Sequence, residues 1–140
     1  SGTVNIAGGE LYMNASGDGI DANGTFTMSG GKVTICGPIT GDTAVLDFDK
    51  SAIITGGFFI GTGSFMMAQT FSEKSTQGVI ALSVGQQAAG TGITLSGGDA
   101  ALSYTPALPY QILILSAPGM VKGEKYTVTV GELSGSFTAY

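Results

Sequence analysis

Acidic and amide side chains recur at matching places in two segments of the first half of the chain. The recurring residues are Asp21, Asn23, Asp47 and Asp49, and Asp18 lies close to the first pair in the sequence. When Ile20 is aligned with Leu46, Asp21 matches Asp47 and Asn23 matches Asp49. Carboxylate and amide oxygens are the ligands that Ca²⁺ prefers, and the ion takes about six to eight of them. The pattern predicts a calcium site if the two segments lie side by side. The alternative is that these residues only form turns and bond to nearby backbone.

A second set of side chains has the chemistry of a sugar-binding surface. It consists of Tyr12, Asn14, Lys32 and Thr34. Sugar recognition uses an aromatic face together with fixed hydrogen-bonding groups, and this set offers both. The alternative for Tyr12 is an ordinary aromatic residue on a sheet surface. Either role requires that two separate stretches of chain lie next to each other.

The basic residues exclude several functions. The chain has no His and no Arg, all five basic residues are Lys, and the net charge is −5. A Ser-His-Asp triad and a zinc site with His ligands are therefore impossible. A nucleic-acid partner is not expected, because phosphate binding needs clustered Lys and Arg. No apolar run reaches the roughly 18 residues of a membrane span, so no membrane partner is expected either. Cys36 is the single cysteine, which we interpret as a small apolar residue, with a reactive thiol as the alternative.

A repeated pattern indicates which elements position these residues. Three glycine pairs, Gly8-Gly9, Gly30-Gly31 and Gly56-Gly57, are spaced 22 and 26 residues apart. Each pair lies between two short runs that alternate apolar and polar residues, which is typical of half-buried strands. Stacking the repeats in register predicts one apolar column of Leu11, Val33 and Phe59, and another of Val4, Phe26 and Ala52. Such a period indicates stacked units, and we expect each unit to form one coil of a parallel β-helix.

The pattern changes after Ser72. Short strands with turn signals between them are predicted over residues 79–84, 93–96, 101–104, 111–116, 126–130 and 136–139. Such spacing favours antiparallel pairing. We therefore expect an all-β protein, in which a right-handed parallel β-helix of about three coils (residues 1–73) is capped by a C-terminal antiparallel β-sheet (residues 74–140). The cap should cover Phe58 and Ile60, with an exposed binding patch as the alternative. Upstream coils of a longer protein, or a partner, should cover the first coil.

The chain resembles a bacterial family of secreted carbohydrate-binding β-helix proteins. The resemblance lies in residues 17–24, 29–33, 37–38, 46–49, 63–72, 75–77, 103–107, 110–111 and 123–127. It implies a pectate-lyase-like fold, secretion or display at the cell surface, and binding of cellulose or acidic polysaccharide. It also implies that calcium can be bound.

Three functions are compatible with these residues. The first is a non-catalytic carbohydrate-binding module that binds plant or acidic polysaccharide at Tyr12, Asn14, Lys32 and Thr34, with Ca²⁺ as a possible cofactor. The alternative is a structural stalk or adhesin segment of a larger surface protein. A calcium-dependent polysaccharide lyase would need a base to take the proton beside a uronate carboxylate, and only Lys32 or Lys50 could supply it. We therefore do not expect an enzyme.

Overall fold

A computed structural model describes residues 3–14, 20–22, 24–36, 46–48, 51–63 and 71–140, with the backbone alone at 13–14, 20–22 and 46–48. The described residues form strands and turns. The strands are β1 (Thr3–Ile6), β2 (Glu10–Asn14), β3 (Ile20–Ala22), β4 (Thr25–Cys36), β5 (Leu46–Phe48), β6 (Ser51–Gly63), β7 (Ile80–Gln87), β8 (Ile93–Gly97), β9 (Ala100–Tyr104), β10 (Tyr110–Ser116), β11 (Lys125–Val130) and β12 (Leu133–Thr138). Within this part of the chain, no helix has the length and hydrophobicity of a transmembrane span.

The largest element is a mixed sheet of six strands. Its order is β1-β4-β6-β10-β7, and β2 pairs with the second half of β4. The strands β1, β2, β4 and β6 are parallel, and the register is the predicted one: Val4 pairs with Phe26 and Leu11 with Val33. Val33 in turn pairs with Phe59. The register prediction from the glycine pairs is therefore confirmed.

The prediction of a parallel β-helix is wrong. The runs before and after each glycine pair belong to the same sheet, and in β4 and β6 they form one continuous strand, so they are not two separate walls of a coil. Beyond β6 the sheet changes direction, because β10 pairs with β6 antiparallel and β7 pairs with β10 antiparallel. The molecule is all-β, with this mixed sheet and a separate antiparallel sheet of four strands.

The parallel part of the sheet ends at β6 because a later segment occupies its edge. The Ser72 amide donates to the Ala52 carbonyl at 2.6 Å, and the Thr76 amide donates to the Ile54 carbonyl at 3.1 Å. The Ile54 amide donates to Ser75 Oγ at 2.9 Å. Strand β10 takes the remaining length of the same edge. These contacts and β10 together occupy the edge of β6 where another parallel strand would pair.

Both faces of the six-stranded sheet carry a hydrophobic core. One face, which we call the Phe59 face, buries Phe26, Met28, Val33, Ile35, Ala52, Ile54, Phe59, Ile112 and Ile114 together with Phe71 and Val79. The opposite face, the Ile60 face, carries Ile60, Leu113 and Leu115. The run 112–115 is apolar without interruption because its side chains enter both cores alternately, as expected of a strand buried on two sides.

The four-stranded antiparallel sheet covers one half of the Ile60 face. Its order is β12-β11-β8-β9, and it contributes Ile93, Leu95, Leu102 and Val128 to the shared core. Ile60 is buried there and Phe58 is partly buried against it. The expectation that the second half of the chain covers these two residues is confirmed. On β4 the same face is buried at Thr34 and Cys36, and on β2 it is exposed at Tyr12.

Candidate functional site

A groove lies where β9, the edge of the antiparallel sheet, meets the Ile60 face. Its volume is about 460 Å³. One wall is the parallel part of the large sheet, with Lys32, Phe58 and Ile60, and the other is β9, with residues 101–103. The groove therefore joins an apolar floor to the ammonium group of Lys32 and the hydroxyl of Ser103. Small-ligand sites are usually concave and mostly apolar, with a few polar groups that fix the ligand's orientation.

The register of the parallel strands explains which side chains reach the groove. Glu10, Lys32 and Phe58 occupy paired positions on β2, β4 and β6, and Tyr12, Thr34 and Ile60 form the next row on the same face. Exposure falls along this second row from 53% at Tyr12 to 4% at Thr34 and 1% at Ile60. The row thus runs from solvent, at the outer strand β2, into the core under the antiparallel sheet.

Two tyrosines and the cysteine join the groove walls at one end. The Tyr104 hydroxyl donates to the Tyr12 hydroxyl at 3.2 Å and lies 3.0 Å from Cys36 Sγ. The two phenol rings meet edge to face, with centroids 6.3 Å apart. The Ala107 amide also donates to Cys36 Sγ at 3.4 Å. Cys36 is buried, so these contacts hold the end of β9 against the Ile60 face.

The environment of Tyr104 keeps its phenol protonated. Burial raises the pKa of Tyr104 well above its ordinary value, and the hydrogen bonds to Cys36 and Tyr12 raise it further. Burial also raises the pKa of Tyr110, whose hydroxyl donates to the Thr91 carbonyl at 2.8 Å. Both phenols therefore stay protonated, and able to donate a hydrogen bond, to a higher pH than an ordinary tyrosine.

The predicted sugar-binding residues have different positions relative to the groove. Lys32 lines it and is exposed, and Tyr12 is exposed on the same face. Thr34 lies between them in the sheet but is buried. Asn14 pairs with Cys36 in the strand register, and its side chain lies outside the described residues. Lys32 and Tyr12 are thus the predicted residues that solvent reaches here.

Sequence reasoning did not find the wall formed by β9. Ser103 and Tyr104 lie about seventy positions after Lys32 in the sequence, in a different sheet. The alternation in β9, where Ala101 and Ser103 are exposed and Leu102 is buried, indicates a strand with one solvent face. The alternation does not indicate that β9 lies next to Lys32 and Phe58 of the large sheet.

The predicted calcium ligands are described only in part. β3 and β5 pair in parallel with Asp21 opposite Asp47, which is the register that the calcium hypothesis requires. Asp18, Asn23 and Asp49 lie outside the described residues, as do the side chains of Asp21 and Asp47. Among the side chains that the structure describes, no group of three or more His, Cys, Asp or Glu could hold a metal ion. The calcium site therefore stays a prediction.

A smaller groove of about 250 Å³ lies between β7 of the large sheet and the β11–β12 side of the antiparallel sheet. Its lining consists of Leu82, Ser83, Val84, Val128, Val130, Leu133, Ser134, Gly135 and Phe137. No charged side chain is among these residues, in contrast to the groove at Lys32.

Comparisons with protein-family models, with curated proteins and with solved structures found no match to the chain.

Proposed function

We propose that the chain is a non-catalytic carbohydrate-binding module of a bacterial extracellular or cell-surface protein, and that the groove at Lys32 holds plant or acidic polysaccharide. The observation that supports this best is the composition of the groove. An apolar floor at the partly buried Phe58 lies beside the exposed side chains of Lys32 and Ser103, and Tyr12 extends the same face toward solvent.

The chemistry of a sugar chain suits these groups. A pyranose ring has an apolar face, which packs on aromatic or aliphatic carbon, and a rim of hydroxyls that need partners. The ammonium of Lys32 offers three donors and no acceptor, so it can serve ring hydroxyls or a uronate carboxylate. The Ser103 hydroxyl both donates and accepts. With a net charge of −5, the chain as a whole repels polyanions, so an acidic glycan would rely on Lys32 or on bound calcium.

Binding of the protein to soluble polysaccharide can be measured by affinity electrophoresis. Its binding to insoluble cellulose can be measured by co-sedimentation. Polygalacturonate and a neutral glucan are the two probes, each with calcium and with EDTA. Hydrogen bonds to charged groups contribute about 1.5–3 kcal/mol, so Lys32→Gln should weaken binding of the favoured glycan by about tenfold or more. Tyr12→Ala should weaken it as well.

Lys125→Gln is the matched control, because Lys125 is exposed at the start of β11, two strands away from β9. It removes the same charge and should leave affinity unchanged. Equal losses in Lys32→Gln and Lys125→Gln would mean that only net charge matters, and the groove would not be the site. Accumulation of unsaturated sugar products, followed by ultraviolet absorbance, would instead support the lyase.

A further inference from the structure

The two edges of the parallel part of the large sheet differ in whether other residues pair with them. At β6, residues 72–77 and β10 occupy the free hydrogen-bonding edge. At the opposite end, β1 and β2 pair with β4 on one side, and no strand of the described residues pairs with their other side. Unpaired edges of this kind are usually covered or blocked in natural proteins.

The side chains at this edge are apolar but incompletely buried. Leu11 is 41% exposed, whereas Val33 and Phe59, which follow it in the same column, are 0% exposed. Val4 and Ile6 are only partly buried against the core that fully encloses Phe26 and Met28. The core of the Phe59 face therefore continues to the edge and is left open there.

The glycine pairs supply an independent observation. A Cβ atom at Gly30 would lie 2.5 Å from the Ala7 carbonyl oxygen, and one at Gly56 would lie 2.5 Å from the Ser29 carbonyl oxygen. Glycine is required at both positions because the backbone of the preceding unit passes directly over them. A Cβ at Gly8 would meet nothing within 4 Å. Position 8 therefore carries the glycine that a preceding unit would require, although none of the described residues forms such a unit.

We propose that the free edge of β1 and β2 receives one further strand–glycine pair–strand segment, in parallel and in the same register. The three units of the sheet follow one another in chain order from β1 through β4 to β6, always toward the same side. A unit on the free side of β1 therefore belongs to polypeptide that comes before Thr3 in the same chain. Its residue opposite Glu10 should be neutral or basic, because like charges directly opposite each other destabilise a sheet. This proposal does not depend on the carbohydrate function.

A tandem copy of residues 1–22 placed ahead of Ser1 tests the proposal, with Glu10→Gln in the copy so that two carboxylates do not lie opposite each other. The copy reproduces the 22-residue spacing, and its junction Ala22-Ser1-Gly2-Thr3 imitates the natural sequence Ala22-Asn23-Gly24-Thr25. Hydrogen exchange should slow by about tenfold or more at the amides of β1 and β2 that point away from β4. The melting temperature should rise by about 4 °C or more.

Gly8→Ala provides the decisive comparison, because its effect should depend on the added unit. In the 140-residue chain it should leave the melting temperature within about 1 °C, whereas Gly30→Ala should lower it strongly. In the extended chain, Gly8→Ala should be as damaging as Gly30→Ala. If Gly8→Ala is harmless in both chains, or if exchange at β1 and β2 is unchanged by the extension, the proposal is wrong. Concentration-dependent protection of β1 and β2 in the unextended chain would show that a second copy fills the edge, which also overturns it.

Discussion

Truncation of Phe71 should destabilise the protein strongly, because this one side chain closes the core of the Phe59 face. Phe71 is 2% exposed. Its ring meets Phe59 edge to face at a centroid distance of 4.9 Å, and it lies 6.0 Å from the ring of Phe26. Replacing a buried Phe by Ala costs about 3–5 kcal/mol, of which each aromatic pair accounts for about 0.5–1.5 kcal/mol. With two such pairs, we expect Phe71→Ala to cost about 4 kcal/mol.

Urea unfolding followed by far-ultraviolet circular dichroism and tyrosine fluorescence measures this loss. Because total stability is about 5–15 kcal/mol for a typical protein, Phe71→Ala can leave too little folded protein to measure. Phe71→Leu is then the working variant, with an expected loss of about 1.5 kcal/mol from a near volume-conserving change. Val121→Ala is the control, since Val121 is 55% exposed and should change stability by less than about 0.5 kcal/mol. A loss below about 1 kcal/mol for Phe71→Ala would refute the role of residues 71–79 as the cover of this core.

Three other changes have equally definite outcomes. Ser116 is fully buried, accepts from Gln77 Nε2 and donates to the Gly78 carbonyl, both at 2.8 Å, so Ser116→Ala should cost about 1–3 kcal/mol in urea unfolding. Because the folded-state pKa values of Tyr104 and Tyr110 are raised, stability should be intact below about pH 10, the ordinary tyrosine pKa, and should fall as the pH rises further. Thermal melts should show a shallower fall in Tyr104→Phe, and an identical slope would contradict the assignment. Calcium should raise the melting temperature, by the equivalent of about 2.7 kcal/mol at a hundred times its Kd, and the rise should vanish in Asp21→Asn combined with Asp47→Asn. No rise and no heat of binding in calorimetry would leave these residues as turn formers.

The register of the parallel strands was predictable because it has a local cause. The backbone of one unit passes so close to the next that the next unit must have glycine at the contact. Aligning the glycine pairs therefore also aligns the strands. Val33 and Phe59 were therefore matched correctly from their spacing to the glycines. The period-two alternation around each pair then assigned each side chain to one face or the other.

The path of the chain beyond those strands was not predictable from the same pattern. Alternation shows that residues 25–28 and 33–36 are extended, but it does not show whether the glycine pair turns the chain into a second wall or only bends one strand. In β4 the strand continues through the glycine pair, with an irregular register between Ser29 and Lys32. The alternation in β10, likewise, contains no information that it pairs with β6 and not with another strand of the second half.

The sequence predicts only one of the two walls of the groove. Lys32 and Tyr12 follow from the repeat, since the register assigns them to one face. The opposite wall depends on how the antiparallel sheet packs on Ile60, which is a long-range contact with no local signal in residues 101–104. Half of the candidate site is therefore a property of the tertiary packing.

Mapping of amide chemical shifts during titration with an oligosaccharide tests the central claim most directly. An oligogalacturonate and a neutral gluco-oligosaccharide are the two ligands, each added to the ¹⁵N-labelled chain. The groove account predicts that the largest shifts occur at Lys32, Phe58 and Ser103, with smaller ones at Tyr12, and that they saturate with one Kd. Saturable shifts confined to the smaller groove at Leu82 and Phe137, or the absence of saturable shifts with either ligand, would contradict it.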